Sequence, residues 1–323
     1  MKLWGVTKLA LGLVIILVLW FFSIGFHSNQ PGSYFDKGQN AVWLESTWVK
    51  EKKSLEEIES LVKTLNENKI GTVFVHSGPF NKDGSLDNEN YLALTSFLEK
   101  IRSFDENIKY QAWLGQIRGK IDLEDEEVRH EIAKQAMTLT EIVGFDGIHF
   151  DIEPVWDEDL SFVETLRETR EKISANKEIS VALAEFIPRS VLWTLGKFRE
   201  FPNHNSEVIY RNVAEYADQI VVMVYDTDID SPRLYRWLIA EQTVWLSRVM
   251  DEDTNLLVGI PAYEEVKEGF NPIAENVETS LTGVLRGLNN IRTKDKKVDG
   301  IAIYRFNEMS DDEWSDYANI WLK

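Results

Sequence analysis

Short β-rich runs alternate with amphipathic segments from residue 41 to residue 323. This strict alternation is typical of an α/β fold, and eight repeats of it favour a closed (β/α)8 barrel, the TIM barrel. The predicted strands are residues 41–44, 71–75, 110–114, 147–152, 179–184, 219–225, 256–260 and 300–304. The predicted helices are residues 54–68, 89–101, 124–143, 160–173, 204–217, 234–249, 277–291 and 311–321.

A doubly wound open sheet is the competing α/β fold. It would place a glycine-rich phosphate-binding turn after the first strand. Residues 44–50 read LESTWVK and contain no glycine. The predicted fold is therefore a single barrel domain over residues 41–323.

An uncharged apolar run at residues 9–26 precedes the barrel. It is long enough to span a bilayer and longer than the usual core of a signal peptide. Lys2 and Lys8 precede it, whereas the first charge after it is Asp36, so the amino terminus is expected to stay in the cytoplasm. We expect residues 1–8 to be cytoplasmic, residues 9–26 to be a transmembrane anchor or a cleaved signal peptide, and residues 27–40 to be a linker. The barrel would then lie outside the cell membrane, or be secreted if the run is cleaved.

Composition narrows the choice of partners. The net charge is -19, which disfavours nucleic acid because its phosphates would be repelled. The chain has no cysteine, and its five histidines lack metal-ligand spacing, so neither a metal nor a cofactor is expected.

The acidic run at residues 122–127 is assigned to a helix amino terminus. Residues 226–231, DTDIDS, resemble the start of a calcium loop, but Ser231 and Trp237 occupy the positions that need glycine and glutamate.

The fourth predicted strand carries the most informative residues. His149, Asp151 and Glu153 occupy alternate positions with large apolar residues between them, so the three polar side chains share one face. The apolar face of a barrel strand packs on the helices, which turns the polar column inward. Glu153 then lies nearest the carboxyl end of the strand, where barrel enzymes have their active sites. A buried column of ionisable groups is costly, which indicates a functional site.

This segment resembles the signature of glycoside hydrolase family 18, the family of chitinases and related endo-N-acetylglucosaminidases. That signature is Asp-x-x-Asp-x-Asp-x-Glu on the fourth barrel strand. Asp146, Asp151 and Glu153 match three of its four acidic positions, whereas His149 takes the place of an aspartate.

Two further motifs are similar to those of the same family. Met223, Tyr225 and Asp226 match the Met-x-Tyr-Asp at the end of the sixth strand, and residues 258–263, ending at Tyr263, are like the Gly-x-Pro-x-Tyr of the seventh. The chain departs from the family at residues 112–115, AWLG, in place of Ser-x-Gly-Gly. It also has Tyr304 in place of the tryptophan that forms the floor of the sugar site.

The resemblance implies retaining hydrolysis of an N-acetylhexosamine-containing glycan, such as chitin, peptidoglycan or an N-glycan. Glu153 would be the general acid, since Asp151 beside it and partial desolvation both raise the pKa of a carboxyl group. Asp151 and Tyr225 would orient the substrate's acetamido group, which acts as the nucleophile, and Asp226 would bind the sugar. His149, behind Asp151, would replace the missing aspartate and couple activity to histidine titration. The residues expected to contact the substrate are Asp146, Met223, Trp113, Trp156, Tyr263 and Tyr304.

Three alternatives stay open at this point. A two-carboxylate retaining glycosidase would use Glu153 and Glu264. A carbohydrate-binding barrel without catalytic activity is a second, suggested by His149. A third is structural: Asp151 and Glu153 would pair with Arg305 or a nearby lysine, and His149 would be a core histidine.

Overall fold

The computed structural model describes residues 29–188, 205–263, 266, 269–294 and 298–323. Within that part of the chain, no helix has both the length and the apolar character needed to cross a bilayer. The run at residues 9–26 lies outside the described residues, and so does Glu264. The expectations stated for both therefore stay predictions.

Eight parallel strands of the described chain close into a barrel in sequence order, with the last strand paired to the first. This confirms the predicted barrel, and β1 and β8 have the predicted bounds. The strands are β1 (Ala41–Leu44), β2 (Thr72–His76), β3 (Lys109–Ile117), β4 (Gly147–Glu153), β5 (Glu178–Leu183), β6 (Gln219–Met223), β7 (Asn255–Pro261) and β8 (Gly300–Tyr304).

Helices cover the outside of the barrel, and eight of them match the predicted segments closely, whereas the short helices Gly32–Phe35, in the predicted linker, and Thr47–Lys50 were not predicted. A capping box at Ser54 and Glu57 begins the helix Leu55–Glu67, and Asp125 of the acidic run caps the helix Glu126–Met137, as the sequence predicts. The helices are α1 (Gly32–Phe35), α2 (Thr47–Lys50), α3 (Leu55–Glu67), α4 (Asn88–Arg102), α5 (Glu126–Met137), α6 (Leu160–Lys172), α7 (Glu207–Ala214), α8 (Pro232–Leu246), α9 (Val277–Leu288) and α10 (Asp311–Ile320). A π-helical turn, Thr138–Val143, extends α5.

The two faces of β4 belong to different cores. Ile148, Phe150 and Ile152 are buried between the strands and the helices, in the outer core. A separate cluster that includes Trp43 and Phe74 fills the barrel interior, where His149 stacks on Phe74. The predicted inward direction of the polar column is therefore confirmed.

Aspartates that immediately precede β4, β6 and β8 share one arrangement at the amino end of the barrel. Each accepts a hydrogen bond from a backbone N–H at the start of the preceding strand, and each pairs with a cation. The pairs are Asp146 with Tyr110 N and Arg102, Asp218 with Ile179 N and Arg170, and Asp299 with Leu256 N and Lys37. Asp146 thus joins β3 to β4 at the end opposite Glu153. The structure does not bring it to the mouth of the barrel, contrary to the expected substrate contact.

Candidate active site

Asp151 is oriented by the neighbouring strand. In the β3–β4 register Gly115 lies opposite Asp151, and Trp113 faces the same interior. The Trp113 indole Nε1 donates a hydrogen bond of 2.8 Å to Asp151 Oδ2. The other oxygen, Oδ1, is buried and has no hydrogen-bond partner within the described chain. One oxygen of Asp151 is therefore fixed by the protein, and the other is buried without a partner among the described residues.

Glu153 ends β4 at the mouth of the barrel. Its side chain reaches solvent, yet the walls of the mouth surround it. The burial by these walls raises the pKa of Glu153 to about 8, helped by the negative charges of Asp151, Asp226 and Glu185. Burial also raises the pKa of Asp151, although the Trp113 hydrogen bond opposes that rise. A carboxyl group that keeps its proton near neutral pH is suited to general-acid catalysis.

Neither carboxylate of this pair has a cationic partner among the described residues. Arg305, which the structural alternative assigned to them, instead lies 2.9 Å from Glu45 Oε1 and also pairs with Glu308. A buried ion pair with Arg305 therefore does not explain why Asp151 and Glu153 lie together.

Aromatic side chains form the opposite wall of the mouth. Tyr225 stacks on Tyr304 with ring centroids 5.0 Å apart, and Tyr263 stacks on Phe270 at 3.8 Å. Met223 packs into the same cluster. Burial, followed by the neighbouring tyrosines and carboxylates, raises the pKa of Tyr225 well above its ordinary value. Its hydroxyl therefore keeps its proton and can donate a hydrogen bond to a ligand.

The turn after Tyr225 presents Asp226 to the same space. Asp226 has a left-handed backbone, with φ of 57°, which aspartate tolerates better than most residues. Glu275 holds this turn by accepting hydrogen bonds from the backbone N–H groups of Asp226 and Thr227, each 2.9 Å long. The Tyr263 hydroxyl donates to Asp226 Oδ1 at 2.6 Å. Three strand ends, those of β4, β6 and β7, thus converge on one site.

His149 lies deeper and has no contact with Asp151 of the kind that the sequence predicted. It is fully buried, and its Nε2 accepts a hydrogen bond of 3.1 Å from Trp43 Nε1. Its Nδ1 therefore carries the proton and donates to Ser180 Oγ at 2.8 Å, and Ser180 in turn donates to Gln219. Burial lowers the pKa of His149 to about 3. The expected coupling of activity to histidine titration is wrong, because this imidazole stays neutral.

Two tryptophans predicted to contact substrate reach the mouth. Trp113 lies against Tyr304, edge to face, at a centroid distance of 6.3 Å. Trp156, in the loop after β4, is 50% exposed, and the Arg118 guanidinium lies 4.9 Å from its ring centroid. The exposed ring of Trp156 is suited to stacking on a sugar ring, whereas Trp113 is mostly buried.

Sequence reasoning missed Glu185 and Glu275. Glu185 follows β5, and burial raises its pKa to about 7. A signal for it existed, since it directly follows the predicted fifth strand and so lies at the catalytic end of the barrel. Glu275 belongs to the connection between β7 and α9, and its local sequence gave no indication that its carboxylate returns to the turn after β6.

Comparison with known proteins agrees with this geometry. The family described as glycosyl hydrolases family 18 matches residues 42–318. No curated protein sequence matches the chain. The chain is similar to the Bacillus cereus spore cortex-lytic enzyme SleL, with 13% identity, 88% of this chain and 74% of that chain covered, and a TM-score of 0.61.

Two chitinases are also similar to it. One is a mutant of a class V chitinase from the plant Cycas revoluta in complex with (GlcNAc)3, with 14% identity, coverage of 88% and 99%, and a TM-score of 0.60. The other is a chitinase from Bacteroides thetaiotaomicron, with 16% identity, coverage of 87% and 94%, and a TM-score of 0.56. At identities below 25%, the structural likeness to these three proteins shows a shared fold alone.

Proposed function

The chain belongs to family 18 of the glycosyl hydrolases, and from this premise we propose that it cleaves an N-acetylhexosamine-containing glycan with Glu153 as the general acid. The observation that carries the proposal is the Asp151–Glu153 pair on one inward face of β4, with one Asp151 oxygen held by Trp113 and the other without a partner in the described chain. No described cation neutralises the pair, and Tyr225 and Asp226 complete the same mouth.

In the proposed first step, Glu153 gives its proton to the leaving glycosidic oxygen as the C1–O bond breaks. The carbonyl oxygen of the substrate's own acetamido group attacks C1 and forms a cyclic intermediate. Asp151 Oδ1 accepts the acetamido N–H, whose positive character grows in this step, and the Tyr225 hydroxyl donates to the acetamido oxygen. Electrostatic stabilisation of charge that develops in the transition state is a major source of catalysis.

In the second step a water molecule attacks C1 from the face that the leaving group vacated. Glu153, now a carboxylate, takes a proton from this water, and the acetamido oxygen leaves C1. Two displacements at C1 retain its configuration. Asp226, held by Tyr263, accepts a hydrogen bond from a sugar hydroxyl.

The geometry favours this pathway over the two-carboxylate one. Asp151 and Glu153 lie two residues apart on the same strand face, roughly 6–7 Å along the strand. That spacing suits an acid with an orienting carboxylate beside it, whereas a two-carboxylate mechanism gives Asp151 no role. The non-catalytic alternative was suggested by His149, which stands where the family has an aspartate. Since His149 is hydrogen-bonded within the core, it gives no support to a loss of catalysis.

The test is cleavage of three glycans by the full-length chain: chitooligosaccharides, peptidoglycan and an N-linked glycopeptide, with products identified by mass spectrometry. Glu153→Gln should lower turnover by about 100-fold or more, the low end of a general-acid contribution. Glu158→Gln, a change at an exposed carboxylate in the following loop, is the matched control. Full activity of Glu153→Gln on a glycan that the wild type cleaves would exclude this role.

The location of the barrel is a second proposal, which rests on the sequence. The apolar run at residues 9–26, with lysines only before it, supports a barrel outside the cytoplasmic membrane, anchored by the run or secreted after its cleavage. A protease added to intact cells should then digest an anchored barrel, and a secreted one should appear in the medium. Protection of the barrel until the cells are lysed would contradict both.

A further inference from the structure

A groove of about 430 Å³ opens beside the catalytic mouth. It begins at Pro154, the residue after Glu153, and Trp156 forms part of its wall. Its other lining residues come from the loops after β2 and β3, so the whole groove lies at the carboxyl end of the barrel. Three of its eight lining residues are basic, and they are Lys82, Arg118 and Lys120.

These three cations differ in how they are paired. Arg118 forms a salt bridge with the buried carboxylate of Asp159 and lies over Trp156, so it holds the tryptophan in place. Lys82 and Lys120 are exposed, and neither forms an ion pair within the described chain. The one carboxylate in the lining, Asp122, accepts a hydrogen bond from the backbone N–H of Glu124. The groove therefore presents two lysines without an ion pair among the described residues and one carboxylate, that of Asp122, beside an exposed aromatic ring.

This charge is opposite to that of its surroundings. The chain as a whole carries -19, and the carboxyl groups of Asp151, Glu153, Glu185 and Asp226 line the mouth with no described cation beside them. An anionic group at the cleavage position would therefore meet no positive charge. In the adjoining groove, which Trp156 lines, the same group would meet Lys82 and Lys120. This arrangement suits a glycan whose negative charge lies on the sugar next to the one that is cleaved.

We propose that the basic groove, formed by Lys82, Lys120 and Trp156, binds a sugar that carries a carboxylate, next to the N-acetylhexosamine that is cleaved. This inference rests on the proposed function and narrows it to an acidic glycan, of which the lactyl-ether-bearing strands of peptidoglycan are an example. Trp156 stacks on the sugar ring, and the two lysines bind its carboxylate. Chitin, which is neutral, would use only the stacking surface.

Calorimetric binding to the full-length chain tests the groove independently of turnover. Three ligands of equal sugar length are compared: neutral chitooligosaccharides, peptidoglycan strands freed of peptide so that only the lactyl carboxylate remains, and the same strands with their stem peptides. We expect the peptide-free strands to bind more tightly than the neutral ones. Exposed ion pairs contribute up to about five-fold each, so Lys82→Gln combined with Lys120→Gln should reduce this preference by about ten-fold.

Lys172→Gln is the control, since this exposed lysine ends α6 at the opposite end of the barrel. It should leave the preference unchanged. Raising the salt concentration to 1 M should weaken the preference for acidic strands as the lysine variant does. At that ionic strength the Debye length is about 3 Å, so exposed charges are screened. Equal binding of neutral and acidic strands by the wild type would overturn the proposal, and so would a preference that appears only with stem peptides.

These experiments distinguish failure of the proposed hydrolysis from failure of the proposed binding in the groove. Absence of cleavage of every glycan, with the lysine-dependent preference intact, would refute the proposed hydrolysis and keep the groove. Cleavage of neutral and acidic strands with equal kcat/KM, unaffected by the lysine variant, would keep the hydrolysis and refute the groove.

Discussion

Trp113 and Asp151 are joined across the β3–β4 boundary by a hydrogen bond of 2.8 Å that fixes one carboxylate oxygen and leaves the other without a partner in the described chain. The same indole lies edge to face against Tyr304, on the wall of the mouth. One side chain thus orients a buried carboxylate and forms part of the surface that a sugar would contact. Loss of the indole N–H can be separated from loss of the aromatic ring by substitution.

Trp113→Phe keeps a ring and removes the hydrogen bond. Asp151 then loses the interaction that opposes the burial-induced rise of its pKa, so we expect its carboxyl to hold a proton more tightly and to turn more freely. The expected result is a fall in kcat of about ten-fold, equivalent to about 1.4 kcal/mol, with a smaller change in KM. Trp245→Phe, at a tryptophan of α8 that packs against the outer core, is the control. Unchanged kcat in Trp113→Phe would show that the hydrogen bond does not serve catalysis.

If Glu153 is the general acid, its raised pKa should set the alkaline limit of activity. A general acid must carry its proton, and surrounding protein together with three carboxylates raises the pKa of Glu153 to about 8. We expect kcat/KM to fall on the alkaline side of pH 8, tenfold per pH unit, because the deprotonated enzyme cannot protonate the leaving oxygen. The measurement is kcat/KM from pH 5 to 10 at constant ionic strength. Activity that keeps rising through pH 9 would contradict the assignment.

The burial of the His149 imidazole should make the free energy of unfolding depend on pH. The folded protein keeps this imidazole neutral down to about pH 3, whereas in the unfolded chain it takes up a proton near pH 6.5. Its contribution to stability is therefore present above pH 6.5 and is lost as pH falls towards 3, by up to about 1.4 kcal/mol per pH unit.

His149→Gln should remove this dependence. Its free energy of unfolding in urea at pH 7 should be lower than that of the wild type by about 1–3 kcal/mol, since Trp43 and Ser180 lose their hydrogen-bond partner. The difference between the two proteins should shrink at pH 5. His130→Gln, at a histidine whose side chain is 55% exposed, is the control. Parallel pH curves for His149→Gln and the wild type would count against a neutral buried imidazole.

The barrel was predictable because its signals are local. Alternation of apolar and polar residues over each segment gives the element type, and the period of two in β4 gives the inward column of Asp151 and Glu153. The partners of His149 were not predictable, since Trp43, Ser180 and Gln219 come from β1, β5 and β6 and meet only in the closed barrel. The contact of Glu275 with the turn at Asp226 was unpredictable for the same reason, because Glu275 comes from a loop that is distant in sequence.

Asp146 shows where a motif match misleads. It belongs to the same eight-residue signature as Glu153, but one strand runs the full length of the barrel, so the first and last residues of the signature lie at opposite ends. Asp146→Ala would leave the Tyr110 N–H and the Arg102 guanidinium without their acceptor. We expect it to lower the free energy of unfolding by about 1–3 kcal/mol and to leave kcat/KM unchanged. A loss of activity in protein that is still folded would restore Asp146 to the site.

The identity of the nucleophile is decided by two inhibitors used on the same protein. If the acetamido oxygen attacks, a thiazoline that mimics the cyclic intermediate should bind far more tightly than the substrate, as mimics of high-energy species do. A fluorinated glycoside, which traps covalent glycosyl-enzymes, should then label no residue, and Glu264→Gln should stay active. If a second carboxylate attacks instead, mass spectrometry should find the sugar attached to Glu264. We expect thiazoline inhibition without labelling, because Asp151 shares the inward face of β4 with Glu153 and its Oδ1 has no partner in the described chain, so that it could accept the acetamido N–H. A covalent adduct on Glu264 would replace this mechanism by the two-carboxylate one.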